Sequence, residues 1–228
     1  MQGDVDGSAT VTFLTNFRRI SSRIAANSPG SLGRHPAVYF YSATGAHQPT
    51  AFLAAISVVE EMEKRREINP FIAYRYTFEE LLLKYKYFIN EIVRRYGSGS
   101  RGLTALRKLH RYLFDGVKDS KPEVEIVPVL IEDERLKFLQ PFVDADKGVK
   151  VKLPSERKSA VLLKQAIDTA LRCEICHARI HRNSMTIDHR QRIEDGGRGN
   201  EENVQLTHPY CNSGYNEWLY AQELKQGV

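Results

Sequence analysis

Apolar residues recur at helical spacing in three stretches of the first half of the chain: Phe52, Ala55, Ile56 and Val59; Phe78, Leu81, Leu82, Tyr85, Ile89 and Ile92; and Leu103, Leu106, His110 and Leu113. A stripe repeating every three to four positions can bury one side of a helix, so each stretch predicts an amphipathic helix. Together they predict a mainly helical N-terminal domain. Thr77 followed three positions later by Glu80 has capping-box spacing and predicts the start of the second helix; residues 97–102 separate it from the third. Residues 37–42 (AVYFYS) and 124–131 (VEIVPVLI) are apolar enough for short strands, and Pro128, with no N–H to donate, limits the second to an edge or a loop. The polar stretch 144–154 leads into a last helix on which Ala160, Leu163, Ile167, Ala170 and Leu171 share a face.

The pattern changes after Cys173. An apolar run ending in Asp188-His189 predicts a strand over 185–189. A loop rich in glycine (195–199) follows, then a second short strand over 203–208 and a helix from about 211 to 224, with Pro209 suited to its first turn. The expected fold class is α+β: a mainly helical domain over 1–168 and a small strand–loop–strand–helix domain over 169–228.

Composition narrows the class. A chain of 228 residues that is 42% hydrophobic can fill a core. It contains no apolar run long enough to span a membrane, and the opening MQGDVDGSATVTF lacks the features of a secretory signal, so a cytoplasmic protein with no membrane partner is expected. Its three cysteines, Cys173, Cys176 and Cys211, all fall in the last quarter, which suits metal ligation better than disulfides. The net charge of +5 is unevenly spread: residues 94–121 carry eight Lys or Arg against two acids, whereas residues 173–228 carry six against eight. Any nucleic-acid footprint is therefore expected upstream of the cysteines, on Arg107, Lys108 and Arg111, which lie opposite Leu103, Leu106 and Leu113 on their helix. A solvated helix face is the bland alternative.

Cys173 and Cys176 form one C-x-x-C pair, and His208 with Cys211 forms an H-x-x-C pair 32 positions after Cys176. Two such pairs offer four N/S ligands for tetrahedral Zn2+, with no position left for water, so the zinc would be structural. A redox C-x-x-C is the competing reading. His177 or His181 could replace His208, although neither has the pair spacing.

Between the pairs stand Asp188-His189, then Asn203 fourteen positions on and Asn212 nine further. From Cys173 to Asn216 the chain resembles the zinc-containing HNH nucleases, including McrA-like restriction enzymes and the HNH domain of CRISPR effector nucleases. His208 stands where that family usually has cysteine. The resemblance implies a ββα-metal fold in which Asp188 and Asn212 hold one catalytic Mg2+ or Mn2+, His189 acts as general base and Asn203 braces the loop. The residue chemistry agrees: imidazole can accept a proton near neutral pH, and carboxylate and amide oxygens suit hard cations. Arg190 and Arg192 are further candidates for phosphate contact.

Upstream, HPAVYFYSATGAHQPTAFLA resembles helical regions that join ParB-like sensor domains to nuclease domains in GmrSD-like modification-dependent restriction proteins. The chain has no ParB-like D-G-Q-Q-R segment and no Walker loop, so this kinship implies a sensor domain or subunit elsewhere. The expectation is an HNH endonuclease that nicks DNA, with RNA left open, in restriction or antiviral defence. The rival from another class is a non-catalytic, zinc-stabilised DNA-binding or adaptor module.

Overall fold

The computed structural model describes residues 4, 6–141 and 155–226. The chain divides into two compact units. One comprises His35–Arg172 with Cys176–Arg179; the other comprises Met1–Arg34, Cys173–Ile175 and Ile180–Val228.

The first unit is built from α2 (Pro36–Tyr39), α3 (Pro49–Lys64), α4 (Ile68–Lys84), α5 (Tyr87–Tyr96), α6 (Ser100–Lys118), α7 (Glu123–Glu132) and α8 (Ser155–Asp168). The three expected stripes fall on α3, on α4 with α5, and on α6. Phe71, Ile72, Leu82, Phe88, Leu106 and Phe114 are completely buried, and Phe71 meets both Phe78 and Phe114 edge-on. Inside this core the buried Arg75 donates to Glu79 Oε1 at 2.7 Å, and the Tyr39 hydroxyl donates to the same oxygen at 2.8 Å. A buried carboxylate in this position is tolerated because a cation and a hydroxyl both satisfy it.

Three local expectations are corrected. Residues 37–42 are not a strand: Pro36 opens α2 with φ already suited to a helix, His35 Nδ1 accepts the Ala37 N–H at 3.2 Å, and only Tyr41 forms an isolated bridge, to His47. Residues 124–131 form α7, despite Pro128 within it. Its buried residues Ile126, Val127 and Leu130 have helical spacing, and packing on α6 is so close that a Cβ on Gly116 would lie 2.5 Å from Ile126. Burial of that face overrides the cost of the missing N–H. Thr77 is no cap either, because α4 begins at Ile68 and runs through it. The connection at 144–154 lies outside the described residues.

The second unit holds α1 (Ser8–Ala25), the hairpin β1 (Thr186–His189) and β2 (Val204–Thr207), a π-helical turn (Cys211–Tyr215) and α9 (Asn216–Gln226). The strands pair antiparallel with Asp188 opposite Gln205 and His189 opposite Val204. No sequence signal had marked the close packing of the N-terminal segment here. The Tyr210 N–H donates to Ser31 O at 2.9 Å, the Ser184 hydroxyl to Ala25 O at 2.7 Å, and the Arg23 guanidinium stacks on the Tyr210 ring at 4.4 Å. Gly33, at φ +56°, has no room for a side chain, since a Cβ there would stand 2.8 Å from His208 Cδ2. No helix among the described residues is long and apolar enough to cross a membrane.

Candidate active site and metal cluster

Cys173, Cys176, His208 and Cys211 converge as the sequence spacing predicts. All four are buried, and their ligand atoms lie within 4.8 Å of one another. Cys211 Sγ is 3.8 Å from His208 Nδ1, close to the sulfur–nitrogen edge of about 3.5 Å in a tetrahedron with Zn–S and Zn–N bonds of about 2.3 and 2.0 Å. The cysteines form no disulfide. Three cysteine sulfurs and an imidazole fit zinc, and the histidine that stands with the cysteines is His208 rather than His177 or His181. The Glu174 N–H donates to Leu206 O at 3.0 Å and so ties the first cysteine pair to β2.

Asp188, His189 and Asn212 line one cavity of about 480 Å³, together with Arg192, Ile193, Glu194, Asn216 and Glu217. Each reaches it for a local reason. Asp188 and His189 end β1, and Asn212 enters on the π-helical turn that follows His208 and Pro209. In that turn the Asn216 N–H reaches back to Cys211 O, a wider loop than an α-turn, which sets Asn212 and Asn216 on the side of Asp188 while Cys211 faces the cluster. Gly214 makes the turn possible: a Cβ there would lie 2.2 Å from the Tyr210 ring.

Asn212 Nδ2 donates to Ile187 O at 3.1 Å, which commits its nitrogen to the strand and leaves its amide oxygen for a cation. His189 makes no side-chain hydrogen bond among the described residues, so its ring nitrogens are available to water and phosphate. Asn203 sits apart from the cavity residues and holds the loop. Its Oδ1 accepts the Gln191 N–H at 2.9 Å, and its Nδ2 donates to Gln191 O at 2.9 Å and to Arg198 O at 2.8 Å. The loop closes tightly, with Gly196 at φ +86° and Gly197 so close that a Cβ would meet Gln191 O at 2.1 Å.

The candidate phosphate contacts are largely engaged by acids. Arg107 pairs with Glu61 at 3.4 Å, Lys108 with Asp133, and Arg111 with both Glu67 and Asp115. Arg192 pairs with Glu194 at 2.8 Å and Glu217 at 2.7 Å and stacks over Tyr220; Arg190 reaches Glu174 at 3.9 Å. By contrast Arg198, on the Gly-rich loop, is exposed and has no ion pair among the described residues. Sequence reasoning passed over it, and over Gln205 and Asn216, both bonded to Asp188. Their signals were present: Gln205 is the cross-strand partner that the hairpin implies, and Asn216 lies four positions after Asn212.

This combination, a hairpin and helix closed by a Cys3His cluster beside an Asp-His pair, defines a zinc-clamped ββα unit. Residues 173–217 match the family described as HNH endonuclease. No curated protein and no solved structure matches the chain.

Proposed function

We propose that the protein is a metal-dependent endonuclease that hydrolyses phosphodiester bonds of DNA, nicking one strand per site, in restriction or antiviral defence. Residues 169–228 carry the chemistry, and residues 1–168 guide or regulate it. The observation that carries this reading is the meeting of Asp188, His189 and Asn212 in one cavity inside a segment that matches the HNH family.

Asp188 and Asn212 offer the carboxylate and amide oxygens that would hold Mg2+ or Mn2+. Such an ion, when bound, offsets negative charge on the scissile phosphate and the leaving 3′ oxygen. His189 takes a proton from the attacking water, whose oxygen bonds to phosphorus as the bond to the 3′ oxygen breaks; that oxygen then takes a proton from solvent. Asn203 fixes the loop after His189 and brings Arg198 near the strand as a phosphate contact.

Supercoiled plasmid incubated with the protein and Mg2+ or Mn2+ should give nicked circles, and chelation should stop the reaction. His189→Ala, at equal zinc content, should nick about 10²–10⁴-fold more slowly with DNA affinity unchanged. If neither protein nicks with any divalent ion while both bind DNA equally, the adaptor-module reading replaces the enzyme.

A further inference from the structure

Asp188 is only 9% exposed, yet no Lys, Arg or His pairs with it among the described residues. Two uncharged amides hold it instead. Gln205 Nε2, directly across the hairpin, donates to Asp188 Oδ2 at 3.1 Å, and Asn216 Nδ2, at the start of α9, donates to the same oxygen at 3.2 Å. The direction of the Gln205 amide is set by its other end, where Oε1 faces the Arg190 guanidinium at 3.5 Å, the limit of a hydrogen bond. Oδ1 accepts from no described residue.

Amide donors satisfy an oxygen without cancelling the carboxylate charge, whereas a lysine or arginine would do both. In its poorly solvated position Asp188 therefore has no neighbouring cation among the described residues, and only one of its oxygens is left for the cavity it lines. How many oxygens a carboxylate offers matters to the choice of ion. Mg2+ and Mn2+ favour octahedral sites and take a carboxylate through one oxygen, while Ca2+ collects about six to eight oxygens and often takes both from one carboxylate.

We propose that Gln205 and Asn216 are positioning residues that occupy Asp188 Oδ2, confine the carboxylate to one-oxygen contact with the catalytic cation, and so bias the site toward Mg2+ or Mn2+ and against Ca2+. The proposal rests on the assignment of Asp188 as a cation ligand made above. The two amides come from β2 and α9, so the clamp also joins all three elements of the ββα unit at the carboxylate.

The test measures ion binding and needs no nucleic acid. Mn2+ binding to the zinc-loaded full chain is followed by the electron paramagnetic resonance of the free ion, and Mg2+ and Ca2+ are read by competition, for wild type, Gln205→Ala, Asn216→Ala, the double variant and Asp188→Asn. Freed of one amide, Oδ2 can join a larger ion, so the ratio of Ca2+ to Mn2+ affinity should rise about tenfold in each single variant and further in the double. Zinc content and circular dichroism check the fold. If Asn216→Ala fails to load one zinc per chain, Gln205→Ala carries the same comparison from β2. Parallel loss of both ions by one factor would overturn the proposal. So would loss of both in Asn216→Ala with Gln205→Ala unchanged, which would make Asn216 a ligand itself. Asp188→Asn separates the two levels of argument. If it binds Mn2+ like wild type, Asp188 is no ligand and the functional reading falls as well; if it loses Mn2+ while the clamp variants keep the wild-type ratio, only the clamp falls.

Discussion

On α6, Arg111 is fully matched: it donates to both Glu67 oxygens and to Asp115, and Lys118, two turns on, reaches Glu67 at 3.1 Å. On β1, Asp188 is more deeply buried but meets two neutral amides and no cation among the described residues. Both arrangements satisfy hydrogen bonds, yet only the first pairs opposite charges. On α6 the charges pair with acids within the helical unit, whereas the Asp188 carboxyl, in the ββα unit, meets only amides. Counting basic residues along the chain places the footprint on α6, whereas counting charges after pairing moves attention to Asp188 and to Arg198.

The largest effect should come from the metal cluster, where Cys173, Cys176, His208 and Cys211 meet. Cys176→Ser should lose zinc and unfold the C-terminal module, because ligation of this kind supplies on the order of 10 kcal/mol to the folding of a small unit. Elemental analysis and near-ultraviolet circular dichroism check it. Full tertiary structure without zinc would show that packing, not metal, holds the site.

Next comes Gly33. An alanine there faces two costs, a positive φ and a Cβ 2.8 Å from His208 and 3.1 Å from Ser184 O, for a combined destabilisation of about 2–4 kcal/mol. Zinc should also be lost more readily to a chelator. Gly199→Ala is the control in the same unit, since nothing lies within 4 Å of its Cβ position, and it should change little. Equal behaviour of the two variants would detach the N-terminal segment from the metal cluster.

Gly33 also marks where sequence reading stopped. The cluster ligands, the Asp-His pair and both asparagines were legible because they repeat a fixed spacing within about 45 residues of continuous chain. Gly33 and His208 are 175 positions apart, and nothing in the local pattern of residues 26–34 announces a neighbour so remote. The misreading of α7 has a different origin: a short, mostly apolar run carries no clear period, and its packing on Gly116 decides between strand and helix. The pairing on α6 was hidden for a third reason. Arg111 and Glu67 come from different helices, so a basic face looks unopposed until α4 and α6 are placed together.

Arg111 supplies the next test of the contrast. Its guanidinium holds the Glu67 carboxyl well below the usual carboxylate range, down to about 2 from 4.5. A depressed carboxylate stabilises the fold above its unfolded value and loses that contribution as pH falls through its folded value, here between about 4.5 and 2. Glu67→Gln should therefore cost about 1–3 kcal/mol at pH 7 and lose less stability than wild type on acidification. Arg111→Ala should likewise cost stability while leaving the salt dependence of DNA binding unchanged. A slope of log affinity against log salt that becomes shallower by about 0.9 would instead assign Arg111 a phosphate.

The smallest effect at neutral pH should come from Lys86, which runs against the contrast because it lies in the helical unit without a matching acid. It is 5% exposed, and its ammonium donates to Val38 O at 2.7 Å, with no carboxylate partner among the described residues. Burial pushes its pKa down to about 7 from 10.5. Between those values the unfolded chain binds a proton that the folded chain does not, so stability should rise with pH from about 7 toward 10.5, by no more than about 1.4 kcal/mol per pH unit. Lys86→Met removes both the desolvated charge and the bond to Val38 O. These offset each other, leaving a net change of about 1 kcal/mol at pH 7 in favour of the variant. Urea unfolding of both proteins from pH 7 to 9.5 isolates this group, because every other titration is common to the two. A difference between them that shrinks as pH rises supports a lysine that folding drives toward neutrality. A difference that stays constant would mean that Lys86 keeps its proton in the folded state, and that an uncharged carbonyl is enough to hold a buried cation in the unit where Arg75, Glu79 and Arg179, buried as deeply, each have a partner of opposite sign.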